Sequence, residues 1–245
     1  MAGEKMRKLY LWNDLDLFGY EKEKINAVWE QIVFYIRQNN NCQEKECYFY
    51  NTDTVKYWIE NYHIEKCNLL ICLGTRPSIC AKTRDLNYLH ISPKRIRRKD
   101  GSTERIYLNN TEYSDLKKYL LKNIKEVYIL EDAIVNGETM RFLLTEIRKI
   151  NFNGNIFVNC LFGNKKMVEN LQEEFAKRVV FNIENCMDGY PIQDSTLICM
   201  QDLLYGYISD GVHYYERMDL IERFIENPEY KLLRLIEKLI KQLGE

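Results

Sequence analysis

The chain predicts an α/β fold: a mostly parallel sheet with helices on both faces. Three observations carry this. Short apolar runs alternate with amphipathic helical patterns over most of the length. Several helical patterns begin at residues suited to N-capping, and one Asp-Gly turn signal interrupts the alternation. Strands separated by helices pair in parallel, because each crossover helix returns the chain to the same end of the sheet.

In order, the runs are "KLYLW", the helix "YEKEKINAVWEQIVFYIRQ", "ECYFY", the helix "TDTVKYWIENY" and "CNLLICLG". Thr52 or Asp53 can cap the segment holding Val55, Trp58 and Ile59, and Thr111 the one holding Leu116, Tyr119 and Leu120. Between Lys82 and Arg105 the pattern becomes basic and extended, with Asp100-Gly101 marking the tip of a β-hairpin, since both central turn residues need positive φ. That segment carries a net charge of +5 within a chain of net charge -1. The alternation then resumes: the helix "SDLKKYLLKNI", strand "EVYIL", helix "TMRFLLTEIRKI", strand "NIFVNCLFG", helix "KKMVENLQEEFAKR" and strand "VVFNIEN". From Cys186 onward the chain is aromatic-rich, with Tyr205, Tyr207, Tyr214 and Tyr215 close together, and ends in a helix. That helix puts Leu232, Leu235, Ile236, Leu239 and Leu243 on one stripe.

With 245 residues and 46% hydrophobic content the chain can bury a substantial core. Its near-neutral balance of 35 basic and 36 acidic residues gives no bulk attraction to nucleic acid or anionic membrane. The eight cysteines form no C-x-x-C pair and several lie inside apolar runs, as expected for reduced core residues of an intracellular protein. His63, His90 and His213 are not spaced with Cys or acidic partners as metal ligands. No signal pattern precedes "MAGEKMRKLYLW", and no apolar run approaches the ~20 residues of a membrane span, so a cytoplasmic location and no membrane partner are expected.

The chemistry concentrates in "LEDAIVNGET", Leu130–Thr139. Glu131 and Asp132 close an apolar strand at the carboxyl end, where open α/β sheets bind ligands. A tight loop follows and runs into a helix. Its backbone N–H groups and the helix N-terminus suit an anion, the Thr139 hydroxyl adds a donor, and Gly137 lets the backbone approach. Carboxylates repel phosphate but accept hydrogen bonds from vicinal hydroxyls, so a sugar phosphate satisfies both parts. The plainer alternative is a capped and solvated strand end.

These residues resemble the ribose-5-phosphate-binding signature of the type I phosphoribosyltransferases. The resemblance implies that Glu131 and Asp132 hold the ribose hydroxyls of 5-phosphoribosyl 1-pyrophosphate, while Ala133, Ile134, Val135, Asn136, Gly137, Glu138 and Thr139 cradle its 5-phosphate. It implies Mg²⁺ as cofactor, reached by Glu131 and Asp132 through ribose and pyrophosphate oxygens. Tyr128, Ala133 and Asn136 depart from the pattern. Val135 stands where the hypoxanthine-guanine branch carries an Asp proposed as base, which disfavours that branch.

Two further elements lie upstream in the order the resemblance implies. Gly74, Thr75 and Arg76 in "LLICLGTRPS" match a pyrophosphate loop after an apolar strand, and a forked Arg suits phosphate; an ordinary strand-end turn is the alternative. Arg97, Arg98 and Lys99 match a mobile basic flap; a solvated charge run is the alternative. The implied organisation is one domain over 1–245, with a core at about 68–185 and flanking segments 1–67 and 186–245 as hood and appendage. The implied activity transfers phosphoribose to a nitrogen nucleophile and releases pyrophosphate. Two other readings stay open. One is a non-catalytic module sensing a nucleotide, of the kind found in bacterial anti-phage and retron systems. The other is a nucleic-acid-binding protein acting through hairpin 94–105, which is not favoured. The last helix offers a homodimer or partner contact as a minority option.

Overall fold

The computed structural model describes residues 7–39, 45–51, 69–98, 103–187, 195–205, 207–209, 212–214 and 231–244. The sequence leads to an expectation of one domain; contacts divide the chain into two compact units. Met1–Tyr57 joins Gly189–Glu245 in the first, and Trp58–Asp188 forms the second.

The first unit opens with β1 (Arg7–Trp12), α1 (Lys22–Asn39) and β2 (Lys45–Tyr50). The second contains β3 (Leu69–Leu73), α2 (Thr75–Thr83), β4 (Leu89–Ile91), the hairpin β5 (Lys94–Arg97) and β6 (Thr103–Tyr107), α3 (Asn110–Leu120) and β7 (Glu126–Ile134). It continues through α4 (Glu138–Lys149), β8 (Asn155–Asn164), α5 (Lys165–Phe175) and β9 (Val179–Met187). The chain then re-enters the first unit with β10 (Ser195–Cys199), α6 (Met200–Tyr205), the short pair β11 (Tyr207–Ser209) and β12 (Val212–Tyr214), and α7 (Lys231–Leu243).

The second unit is a five-stranded parallel sheet in the order β4-β3-β7-β8-β9. Its register lines side chains into rows across the sheet. Leu69, Val127, Ile156 and Val179 form one, and Ile71, Ile129, Val158 and Phe181 the next. These rows share a face because strand side chains alternate with period two. Leu116 and Leu120 of α3, Met140, Leu143, Leu144 and Ile147 of α4, and Met167, Leu171 and Phe175 of α5 complete the core with them. The opposite face carries α2, whose Cys80 and Ala81 are buried. The α/β class with helices on both faces is therefore the observed architecture.

In the first unit a separate parallel sheet runs β10-β1-β2. Leu9 and Leu11 pack with Ile25, Val28, Ile32 and Ile36 of α1. The stripe on α7 closes this core: Ile236, Leu239 and Leu243 are buried and Leu235 packs beside them. The Leu232 side chain, the expected helix after Thr52 or Asp53, and the side chains of the tyrosine group 205–215 lie outside the described residues. Among the cysteines, Cys72, Cys80, Cys160 and Cys199 are buried, whereas Cys186 is exposed because it falls on the outward side of the edge strand β9. No helix among the described residues is long and apolar enough to cross a membrane.

The N-cap of helix α3 lies two residues before the expected one. Asn109, not Thr111, occupies the N-cap: its Oδ1 accepts from Glu112 N at 2.9 Å while Glu112 Oε2 accepts from Asn109 N at 3.1 Å. Asn109 followed by Glu three residues on makes this reciprocal pair, which outweighs a lone Thr already inside the first turn. Glu112 Oε1 also accepts from Ser92 N at 2.8 Å, tying the exit of β4 to the helix. Replacing Asn109 with Ala should lower the unfolding free energy by about 1 kcal/mol, read as a lower urea midpoint.

Candidate functional site

Strand β7 runs further than its apolar residues suggest. Ala133 and Ile134, expected in the phosphate loop, are still paired with Phe162 and Gly163 of β8, which leaves only Val135, Asn136 and Gly137 as the loop before α4. Asn136 gives that loop its turn, with Oδ1 accepting from Glu138 N at 3.2 Å. Gly137 takes φ +70°, and a Cβ there would sit 3.3 Å from Leu171 Cδ1. Both the left-handed backbone and the close approach of α5 therefore call for glycine.

The two acids differ in burial. Glu131 stands in the apolar row between Leu73 and Cys160, on the face packed by α3, α4 and α5, and is 8% exposed. Burial, then the neighbouring Asp132 carboxylate, push its carboxyl well above the usual range, so it favours the protonated form. The same burial, with both carboxylates adding, raises the Cys160 thiol. Asp132 is half-buried and lies within side-chain hydrogen-bonding reach of the Glu131 carboxyl. Arg76 Nη1 reaches its Oδ2 at 3.5 Å, joining the end of β7 to the turn after β3. Cys80, on the helix that follows, is pushed up to about 12 by burial, with Asp132 contributing.

Gly74, Thr75 and Arg76 are the start of α2 rather than an independent loop. Gly74 is the N-cap, at φ 93° and ψ -175°, a conformation essentially restricted to glycine, and Arg76 lies in the first turn. The Arg76 guanidinium thus sits beside a helix N-terminus whose N–H groups suit an anion.

The hairpin forms as expected, β5 pairing antiparallel with β6 and a register shift between Ile96 and Arg97. Of the three tip residues, Arg98 is exposed, the Arg97 side chain is outside the described set, and so are Lys99 and the Asp100-Gly101 turn. Sequence reasoning passed over the residues that connect hairpin and loop. Arg95 donates through Nη2 to Thr139 Oγ1, so Thr139, expected as a donor to an anion, is an acceptor here. Thr103 Oγ1 donates to Glu138 Oε2 at 2.7 Å. The available signal was the basic run itself, which begins at Lys94 and Arg95, before the three tip residues singled out. Between β6 and α4 lies an open groove of about 670 Å³, lined among others by Arg105, Tyr107, Tyr113, Glu138 and Arg141.

The carboxyl ends of β3 and β7 thus carry the N-termini of α2 and α4 and the Arg76–Asp132 contact, with Arg95 reaching the first turn of α4. The buried acid beside them has a consequence for pH. Because the folded state holds a proton on Glu131 that the unfolded chain releases above about pH 4.3, stability falls as pH rises from there through the raised value. Glu131→Gln should remove this decline, so urea unfolding from pH 5 upward should show a steeper loss in the wild type than in the variant.

No protein-family model and no curated protein matches the chain. Solved structures do. A hypothetical protein from Neisseria gonorrhoeae with bound ppGpp is 12% identical, with a TM-score of 0.42 over 90% of this chain and 97% of that one. The xanthine-guanine-hypoxanthine phosphoribosyltransferase of Helicobacter pylori is 8% identical, with a TM-score of 0.39 over 80% and 93%. The AQ2163 protein from Aquifex aeolicus is 16% identical, with a TM-score of 0.39, matching 54% of this chain and 61% of that one. At these identities and scores the likenesses assign neither family nor activity to this chain.

Proposed function

We propose that this protein is phosphoribosyltransferase-like: it binds 5-phosphoribosyl 1-pyrophosphate at the carboxyl ends of β3 and β7 and transfers phosphoribose to a nitrogen nucleophile. The observation that carries this reading is the Arg76–Asp132 contact. It joins two segments, 56 residues apart in sequence, that their own residue patterns nominate for pyrophosphate and for ribose.

The roles follow from the geometry. The loop amides of Val135–Gly137 and the N-terminus of α4 take the 5-phosphate, with Arg95 above them. Asp132 accepts hydrogen bonds from the ribose hydroxyls. Glu131, buried, biased toward its neutral form and hydrogen-bonded to Asp132, supports the position of that carboxylate. Arg76 and the first amides of α2 take the pyrophosphate, so substrate entry exchanges the Arg76–Asp132 contact for two stronger charge-assisted ones. The new N–C1 bond forms as the C1–O bond breaks, and the electron pair leaves on the pyrophosphate oxygen, whose charge Arg76 offsets. Val135 carries no proton-accepting group, which favours an acceptor whose nitrogen lone pair attacks without prior deprotonation. The hairpin, tied to α4 through Arg95 and Thr103, is placed to exclude water from the activated sugar.

Mg²⁺ fits this site only as a companion of the substrate. Among the described residues no three His, Cys, Asp or Glu side chains converge as a metal cage, and of the acidic pair only Asp132 is accessible. Mg²⁺ tolerates such a sparse set because it keeps waters and binds phosphate oxygens, and it would supply charge neutralisation of the pyrophosphate.

Calorimetric titration with phosphoribosyl pyrophosphate and Mg²⁺, followed by a pyrophosphate-release screen over nitrogenous acceptors, tests the reading. Asp132→Asn should weaken binding by about 10- to 100-fold, the loss of charge-assisted hydrogen bonds, while circular dichroism stays unchanged. Unaltered affinity would refute the assignment. Replacing Arg95 with Ala, or Arg97, Arg98 and Lys99 together, should slow turnover; a full-speed variant would remove the hairpin from the mechanism.

A further inference from the structure

We propose that Ser78 and His90 are positioning residues for the pyrophosphate end of this site, holding the Gly74–Thr75 peptide so that the Thr75 N–H faces the ligand. The inference rests on the site assigned above and adds two residues to it.

Gly74 is the pivot, and both of its backbone groups are tied. Its N–H donates to Ile91 O at 2.9 Å, and its carbonyl, which as N-cap takes the first backbone bond of α2, also accepts from Ser78 Oγ at 2.9 Å. A trans peptide is planar, with C=O and the next N–H pointing in opposite directions. Anchoring the Gly74 carbonyl toward the helix therefore aims the Thr75 N–H out of the helix start. That N–H has no partner within the helix, and Pro77 carries no N–H of its own. Within the first three positions of α2, Thr75 and Arg76 thus supply the outward amides, and the orientation of the first depends on one carbonyl.

A serine bonding back four residues along its own helix is common. What sets Ser78 apart is its second contact. The side chain is 9% exposed, and its Oγ lies 2.6 Å from His90 Nδ1 on β4. A hydroxyl has one proton. With that proton donated to Gly74, the short contact is closed by His90 Nδ1–H donating to Oγ. His90, exposed on the edge strand, has its backbone set by the β3–β4 register opposite Cys72. The relay thus runs from the sheet edge through His90 and Ser78 to Gly74. It holds a glycine at φ 93°, where a Cβ would meet nothing within 4 Å. The side-chain hydrogen bond thus adds to the backbone bonds that set this turn.

The test titrates the full chain separately with inorganic pyrophosphate and with ribose 5-phosphate, for wild type and for Ser78→Ala, His90→Ala, His90→Asn and His90→Gln. Ser78→Ala and His90→Ala should weaken pyrophosphate about tenfold, as for one lost hydrogen bond, and leave ribose 5-phosphate unchanged. His90→Asn should restore pyrophosphate affinity, because its amide can stand where Nδ1 stands, and His90→Gln should not. Should the alanine variants fail to fold, the Asn and Gln variants carry the same comparison. Equal loss for both ligands would reduce the pair to a structural tie, and no loss would remove it altogether; either overturns the proposal. A wild type that binds ribose 5-phosphate but not pyrophosphate overturns it as well. If the wild type binds neither, the site assignment itself fails.

Discussion

Parallel pairing along β7 sets Glu131 in a buried apolar row while its neighbour Asp132 stays half-buried, and the candidate site is organised around that difference. The row is set by parallel pairing with β3 and β8, whose Leu73 and Cys160 flank Glu131. A one-residue slip would exchange the two acids and bury the wrong one. The register is secured well away from the site by the apolar rows on which α3, α4 and α5 pack, so site geometry is inherited from the core.

Around the accessible acid, weak ties converge. The Arg76–Asp132 contact is long at 3.5 Å and partly solvated, and such pairs contribute little to stability. Its value is geometric, since it holds a cation and a carboxylate in readiness between two helix N-termini. The Thr103–Glu138 and Arg95–Thr139 contacts act alike on the hairpin, bringing it to the first turn of α4.

The first unit follows a different logic, because its two halves are remote in sequence. Strand β1 lies between β2 and β10, and Asp14, just beyond β1, accepts at Oδ1 from Gln201 N at 2.8 Å. That bond satisfies a free N–H at the start of α6 and fastens the C-terminal segment to the N-terminal one. The stripe on α7, readable as an amphipathic face, is used in this same core.

Much was legible in the chain itself. The apolar runs, the amphipathic helices, the Asp-Gly hairpin and "LEDAIVNGET" are local patterns, and local patterns reflect periodicity and turn chemistry, which the backbone obeys regardless of its neighbours. The sequence alone therefore determined the α/β class, the order of the elements and the acidic strand end before a tight loop. Only the tertiary structure decided which acid is buried, because that depends on the partners of β7. It also decided that Arg95 reaches the first turn of α4, and that β10 joins β1 in a sheet apart from the five-stranded one. Those outcomes depend on pairing between residues tens to hundreds of positions apart, for which a single sequence carries no periodic signal.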